Sequence, residues 1–313
     1  MSSENIAILF AGQGSQYIGM GKDLYENIKE CREVFDKGEE ILNMNIKDLI
    51  FSGNEDNLKL TENAQPAILL TSLAIIKVLE KNGIIGDYTA GLSLGEYGAL
   101  IYGGALDFSD GLKLIKERGR IMGSSLPKGL GKMAAILKLN NEKIEELLNR
   151  ASKFGIIECA NYNCPGQIVV SGENKAIEEA VKIAKELGGL GVPLNVSGPF
   201  HSSLLKDASF EFLKELEKVK FNKFNKIVYS NISGLPYKDE DNLKDILRKH
   251  IMSSVLFEKT IRDMLDKGVD TFIEVGPGKS LSGFVKKINR KVKIYNVENL
   301  ESLNKIIKEM KEQ

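Results

Sequence analysis

The chain reads as an α/β protein in two parts, a larger unit of alternating strands and helices and a smaller unit inserted into it. Three observations carry that reading. Apolar runs that end in glycine or serine, such as residues 5–14 (NIAILFAGQG) and 87–93 (DYTAGLS), lead into stretches with helical periodicity, the alternation expected of an α/β sheet. Residues 129–197 instead follow the order strand–helix–strand–strand–helix–strand, which is ferredoxin-like. A length of 313 residues is long for one compact core and suits a large unit plus a small one.

The elements follow in order. Residues 5–10 are an apolar strand feeding a glycine-containing loop. Residues 20–42 have the spacing of one amphipathic helix, and residues 63–83 are an apolar, buried helix stopped at Gly83. A short strand at 87–93 runs directly into a helix at 94–106. Glu96 lies in that helix's first turn, where an acid suits the helix dipole. Residues 107–126 form a further helix. The pattern changes at 127–132 (PKGLGK). Strands are then expected at 132–139, 156–163, 166–172 and 191–196, with helices at 140–155 and 174–188. After a turn and helix at 197–219, the larger unit resumes with a strand at 226–233, helices at 242–251 and 254–268, and a strand at 271–278. A helix at 279–289, a strand at 293–297 and a polar helical tail complete it.

Bulk properties exclude several classes. Lys+Arg and Asp+Glu are both 43, so there is no basic excess for nucleic acid. No apolar run reaches the length of a membrane span, and the first residues lack the basic and apolar regions of a signal peptide. Cys31, Cys159 and Cys164 are scattered and odd in number, as in a cytoplasmic protein with reduced thiols. Their spacing gives no zinc site.

The stretch 91–95 reads G-L-S-L-G. A serine hydroxyl needs a base, exposure and hydrogen-bond donors for the oxyanion before it can act as a nucleophile. A strand that ends in this pattern and runs straight into a helix supplies two of these. Gly91 and Gly95 permit a sharp turn that lifts Ser93 out of the sheet, and the helix start leaves backbone N–H groups free beside it, that of Leu94 included. The chain has two histidines, His201 and His250. His201, in the turn SGPFHSS, is taken as the base. His250, near a helix end among basic residues, reads as a surface histidine or a C-terminal cap. An α/β-hydrolase would place its acid and then its histidine near the C-terminus. Here more than a hundred residues follow His201, so that template fits poorly.

Six motifs then occur in order: FAGQGSQYIGMG (10–21), GLSLGEYGAL (91–100), ERGRIM (117–122), NYNCPGQIVVSG (161–172), GPFHSSLL (198–205) and EVGPGKSLSG (274–283). Together they resemble the acyltransferase family of fatty-acid and polyketide synthesis, over roughly residues 5–300. The resemblance implies an α/β-hydrolase-like larger subdomain, residues 1–128 and 198–313, with a ferredoxin-like smaller subdomain, residues 129–197, and an active site in the groove between them. It implies malonyl transfer from malonyl-CoA to acyl carrier protein by a cytoplasmic monomer without metal or organic cofactor. By its motifs Ser93 is the acylated nucleophile and His201 its base. The N–H groups of Gln13 and Leu94 form the oxyanion hole. Arg118 holds the free carboxylate, the main-chain carbonyl of His250 orients His201, and Met122 and Phe200 line the acyl pocket. In related enzymes a Phe at position 200 goes with malonyl and a Ser with methylmalonyl.

The residue chemistry agrees with that assignment. A guanidinium can hold a carboxylate through two parallel charge-assisted bonds, which a lysine cannot reproduce. A plain serine esterase would have no use for it, and a non-catalytic scaffold would need none of Ser93, His201 and Arg118. The sequence departs from the family at Ala11, Leu92 and His250, where Pro, His and Gln are usual. Two basic stretches, 286–293 (KKINRKVK) and 218–226 (KVKFNKFNK), are candidates for docking an acidic carrier protein.

Overall fold

A computed structural model describes residues 5–125 and 129–312. Strand β1 (Ile6–Phe10) is followed by helices α1 (Lys22–Asn27), α2 (Lys29–Leu42), α3 (Ile46–Phe51), α4 (Glu55–Lys59) and α5 (Thr61–Lys81). Strand β2 (Tyr88–Gly91) leads into α6 (Gly95–Tyr102) and α7 (Phe108–Ser124). The inserted part comprises β3 (Gly131–Leu137), α8 (Asn141–Ala151), β4 (Ile157–Cys164), β5 (Gln167–Glu173), α9 (Asn174–Glu186) and β6 (Leu190–Pro193). The chain continues through α10 (Lys206–Glu217), β7 (Ile227–Val228), α11 (Leu243–His250), α12 (Phe257–Asp266), β8 (Thr271–Val275), α13 (Ser280–Ile288), β9 (Lys293–Val297) and α14 (Leu300–Lys311).

Two sheets result. The first has the order β7-β2-β1-β8-β9, with every neighbouring pair parallel. Its central strands β1 and β8 are buried throughout, because crossover helices cover both faces of a parallel sheet. Strand order reverses at β1, and an open sheet leaves a crevice at the carboxyl ends of its strands there. The second sheet, β4-β5-β3-β6, is antiparallel. Ala134, Ile136, Ile168 and Val170 on one of its faces pack with Ile144 and Leu147 of α8 and Ile177 and Ala180 of α9. The alternate residues Met133, Ala135, Gln167 and Val169 face the opposite way, into a cleft. This is the α/β-hydrolase-like plus ferredoxin-like architecture.

Several elements differ from the sequence reading. The single helix expected at 20–42 is two, broken at an extended Ile28. The Arg32 side chain donates to the carbonyls of Tyr25 and Glu26, replacing helical bonds that would have run through the break. The strand expected at 226–233 is only Ile227–Val228, because Ser230 N–H bonds Leu235 O and the chain turns through Gly234 at φ +65°. The last inserted strand is Leu190–Pro193 rather than 191–196. Helices α3 and α4 were not expected; each has at most two buried side chains, too few to leave a periodic signal. The expected join at 128/129 and the end of the 107–126 helix abut or fall on residues 126–128, outside the described residues.

Candidate active site

The turn between β2 and α6 presents Ser93. Its backbone is left-handed, with φ +55°, a conformation a non-glycine residue holds only where its surroundings over-determine it. Two glycines make room for the turn. A Cβ on Gly91 would lie 2.0 Å from the Gly95 carbonyl carbon, and one on Gly95 would lie 2.2 Å from Phe10 O. Asn231, which follows the short β7, clamps the turn from outside. Its Oδ1 accepts from Ser93 N–H at 2.8 Å, and its Nδ2 donates to Gly91 O at 2.7 Å.

Ser93 Oγ lies 2.7 Å from His201 Nε2. On the far side of the ring, Nδ1 lies 2.9 Å from His250 O and 3.1 Å from Ser253 O. Carbonyl oxygens only accept, so Nδ1 carries the proton and Nε2 is left to accept from the serine. Burial first, then the charges of His250 and Arg118, push the His201 imidazole well below its usual value, and the two carbonyl contacts offset this only in part. The ring is therefore neutral at pH 7, the form a base requires.

Arg118, on α7, is fully buried. Its Nη1 donates to Gln65 Oε1 of α5 at 2.7 Å, and its Nη2 donates to Ser93 Oγ at 3.2 Å. The guanidinium also sits over the Tyr97 ring, 5.4 Å from its centroid. Burial draws its pKa down, opposed by Tyr97 and Glu96, yet a guanidinium stays charged at any working pH. Its Nε has no hydrogen-bond partner among the described residues. A buried cation beside the reactive hydroxyl, with no carboxylate bonded to it, leaves a charge for a ligand to neutralise.

Ser93 and His201 open on a cleft of about 210 Å³ between the two sheets. Gln13, Met122 and Phe200 line it, as do Leu92 and Phe284, while Asn161 and Asn163 face it from β4. The N–H groups of Gln13 and Leu94, at the carboxyl ends of the neighbouring strands β1 and β2, donate to no acceptor among the described residues. Asn231 takes the N–H of Ser93, so the free donor at this turn is that of Leu94. A larger hollow at 219–224 and 238–244 lies away from this chemistry.

The structure thus brings together all eight residues singled out from the sequence, and two readings change. His250 ends α11 but is fully buried, neither a surface histidine nor an exposed cap. Glu96 does lie in the first turn of α6, but its buried carboxylate accepts from Asn231 N–H and Tyr237 O–H rather than only facing the helix start. Gln65, Asn231 and Ser253 were not foreseen. They act through a side-chain amide or a main-chain carbonyl across 53, 138 and 52 residues of chain, and nothing in their own neighbourhood marks them.

An open parallel sheet, a serine held in a left-handed turn at its carboxyl edge and a histidine on that serine define the class, an α/β acyl-transfer enzyme. Comparison with known proteins takes this further. The model for the acyl transferase domain matches residues 8–313, and the chain belongs to that family. It is 43% identical over 310 residues to the malonyl CoA-acyl carrier protein transacylase of Bacillus subtilis (strain 168), covering 98% of both chains. The protein of that name from Staphylococcus aureus (strain MRSA252) is 41% identical over 299 residues, 95% of this chain and 96% of that one. Among solved structures, malonyl CoA-acyl carrier protein transacylase from Clostridium perfringens superposes with a TM-score of 0.95 at 47% identity, covering 98% of each chain. A malonyl-transacylase in complex with a type II PKS acyl-carrier protein superposes at 0.94, with 32% identity over 98% of this chain and 100% of that one.

Proposed function

We infer that the chain moves a malonyl group from malonyl-CoA to the phosphopantetheine thiol of acyl carrier protein, loading the extender unit for fatty-acid synthesis. One observation carries the choice of acyl group: the buried Arg118 guanidinium lies 3.2 Å from Ser93 Oγ. An acyl group on that oxygen that ends in its own carboxylate can reach the arginine, and an unsubstituted acetyl group cannot. The names of the relatives point the same way.

Ser93 Oγ attacks the thioester carbonyl and its proton passes to His201 Nε2. The oxyanion forms facing the N–H groups of Gln13 and Leu94. The carbon–sulfur bond then breaks, the CoA sulfur takes the proton from His201, and malonyl-serine remains. The carrier thiol attacks this ester by the same steps in reverse, giving ping-pong kinetics. The carbonyl of His250, joined by that of Ser253, holds the imidazole in one tautomer, so no carboxylate completes the pair as a triad. Met122 and Phe200 bound the acyl group. The reading treats residues 129–197 as the smaller subdomain, 1–128 with 198–313 as the larger, and the enzyme as a cytoplasmic monomer. No helix among the described residues is long and apolar enough to cross a membrane.

Arg118→Ala tests the carrying observation. Losing two charge-assisted bonds of about 1.5 kcal/mol each predicts a fall in malonyl loading of roughly a hundredfold, with acetyl loading from acetyl-CoA unchanged or improved. Equal loss of both would show that Arg118 serves only the fold.

A further inference from the structure

Glu96 is fully buried, and its two carboxylate oxygens face different parts of the site. Oε1 accepts from Asn231 N–H at 3.1 Å and from Tyr237 O–H. Asn231 is the residue that clamps Ser93 N–H and Gly91 O. Oε2 lies 3.0 Å from His250 Nδ1, off the line of a hydrogen bond. The His250 ring is fully buried, has no hydrogen-bond partner among the described residues, and lies 5.2 Å from the His201 ring. Its main-chain oxygen accepts from His201 Nδ1.

We propose that Glu96 is a positioning residue for the reaction, one buried carboxylate that holds both the turn presenting Ser93, through Asn231, and the carbonyl orienting His201, through His250. The inference rests on the acyl-transfer reading given above. A buried carboxylate is costly unless its partners satisfy it, and this one gives Oε1 to Asn231 and Tyr237 and sets Oε2 against the His250 ring. Neither support touches substrate. A displacement of either would move Oγ or Nε2 from the 2.7 Å approach, and small misplacements of reacting groups are expensive. The charged and titratable groups around the pair are Glu96 and Tyr97 of α6, Arg118 of α7, Tyr237 and His201. On α11 itself Arg248 and Lys249 are engaged by Asp245.

The test uses the full chain with Glu96→Gln, His250→Gln and the double variant, and two reagents. Malonyl-CoA reports the reaction. Phenylmethanesulfonyl fluoride reports Ser93 alone: an Oγ–sulfur bond forms, the sulfur–fluorine bond breaks, fluoride leaves, and His201 takes the proton. The proposal predicts that Glu96→Gln slows both reactions by the same factor, about tenfold to a hundredfold, with KM for malonyl-CoA within about twofold. The double variant should be no slower than the slower single, because both act through one chain of contacts. Sulfonylation of Glu96→Gln at the wild-type rate, or losses that multiply in the double variant, would overturn the proposal. If Glu96→Gln does not fold, sulfonylation of His250→Gln at the wild-type rate overturns it. Normal sulfonylation of the wild type without malonylation would instead reject the malonyl reading and leave the positioning result readable.

Discussion

Arg118 and His201 are both buried polar groups beside one hydroxyl, and they fill opposite roles. The arginine keeps its charge, because guanidinium cannot give up a proton under working conditions. The histidine loses its charge, because burial and the neighbouring cations disfavour the imidazolium. That difference fixes a pH dependence. A base pushed below the usual 6.5 stays neutral as the pH falls from 8 to 6.5. Serine acylation, followed by stopped flow, should therefore be flat across that window and decline only in more acid buffer, as protonation removes the acceptor at Nε2. A decline already centred at or above 6.5 would mean that His201 is not held as described. Ser93 and His201 were legible in the sequence because each sits in a local pattern, a glycine-flanked serine and a histidine in a small-residue turn, whereas Arg118 was named only by the resemblance that ERGRIM helps to carry. The support of each was not legible. Gln65, Asn231 and Ser253 meet the site through folding alone.

The element that matters most is the β2–α6 turn. Its glycines could be read from the sequence as space for a sharp bend, and the structure gives the distances that demand them. A methyl at position 95 would lie 2.2 Å from a backbone carbonyl oxygen of β1, which cannot rotate away as a side chain could. Gly95→Ala should thus lower stability by about 1–3 kcal/mol or more, seen as a fall in Tm, and should abolish acylation by shifting the turn. Retained acylation with an unchanged Tm would count against the steric account. Elsewhere, elements with a strong period were read well and short ones poorly. The buried α5 spans Thr61–Lys81 and was foreseen to within two residues. By contrast β7 is two residues long, because the chain is diverted to bring Asn231 under Ser93, a long-range demand that overrides the strand-like run at 226–233.

On the scale of the molecule, the cleft exists because the inserted sheet is docked beside the histidine's support. Strand β4 is tied to the segment after α11: Val255 N–H donates to Ala160 O at 2.8 Å, and Tyr162 N–H donates to Val255 O at 2.9 Å. Two residues earlier, Ser253 O faces His201. The segment that orients the base therefore also seats the smaller sheet. Of the two basic stretches, 286–293 adjoins the cleft. Phe284 of α13 lines it, and Lys287 Nζ reaches Gln167 Oε1, another lining residue, at 2.9 Å. The other stretch runs toward the amino-terminal edge of the sheet, where Lys226 Nζ donates to Gly86 O, away from Ser93. Reversing charge at Lys286, Lys287 and Arg290 should raise KM for carrier protein, most strongly at low salt, and leave KM for malonyl-CoA unchanged. An unchanged carrier KM would place docking elsewhere. The sequence could show which stretches were basic, but not which one the fold carries to the cleft.

A malonyl ester on Ser93 is visible in the intact mass of the protein after brief incubation with malonyl-CoA. The wild type should gain about 86 Da, the mass of one malonyl group on an activated serine, and Ser93→Ala nothing. An unmodified wild type, or an adduct that survives Ser93→Ala, would contradict it.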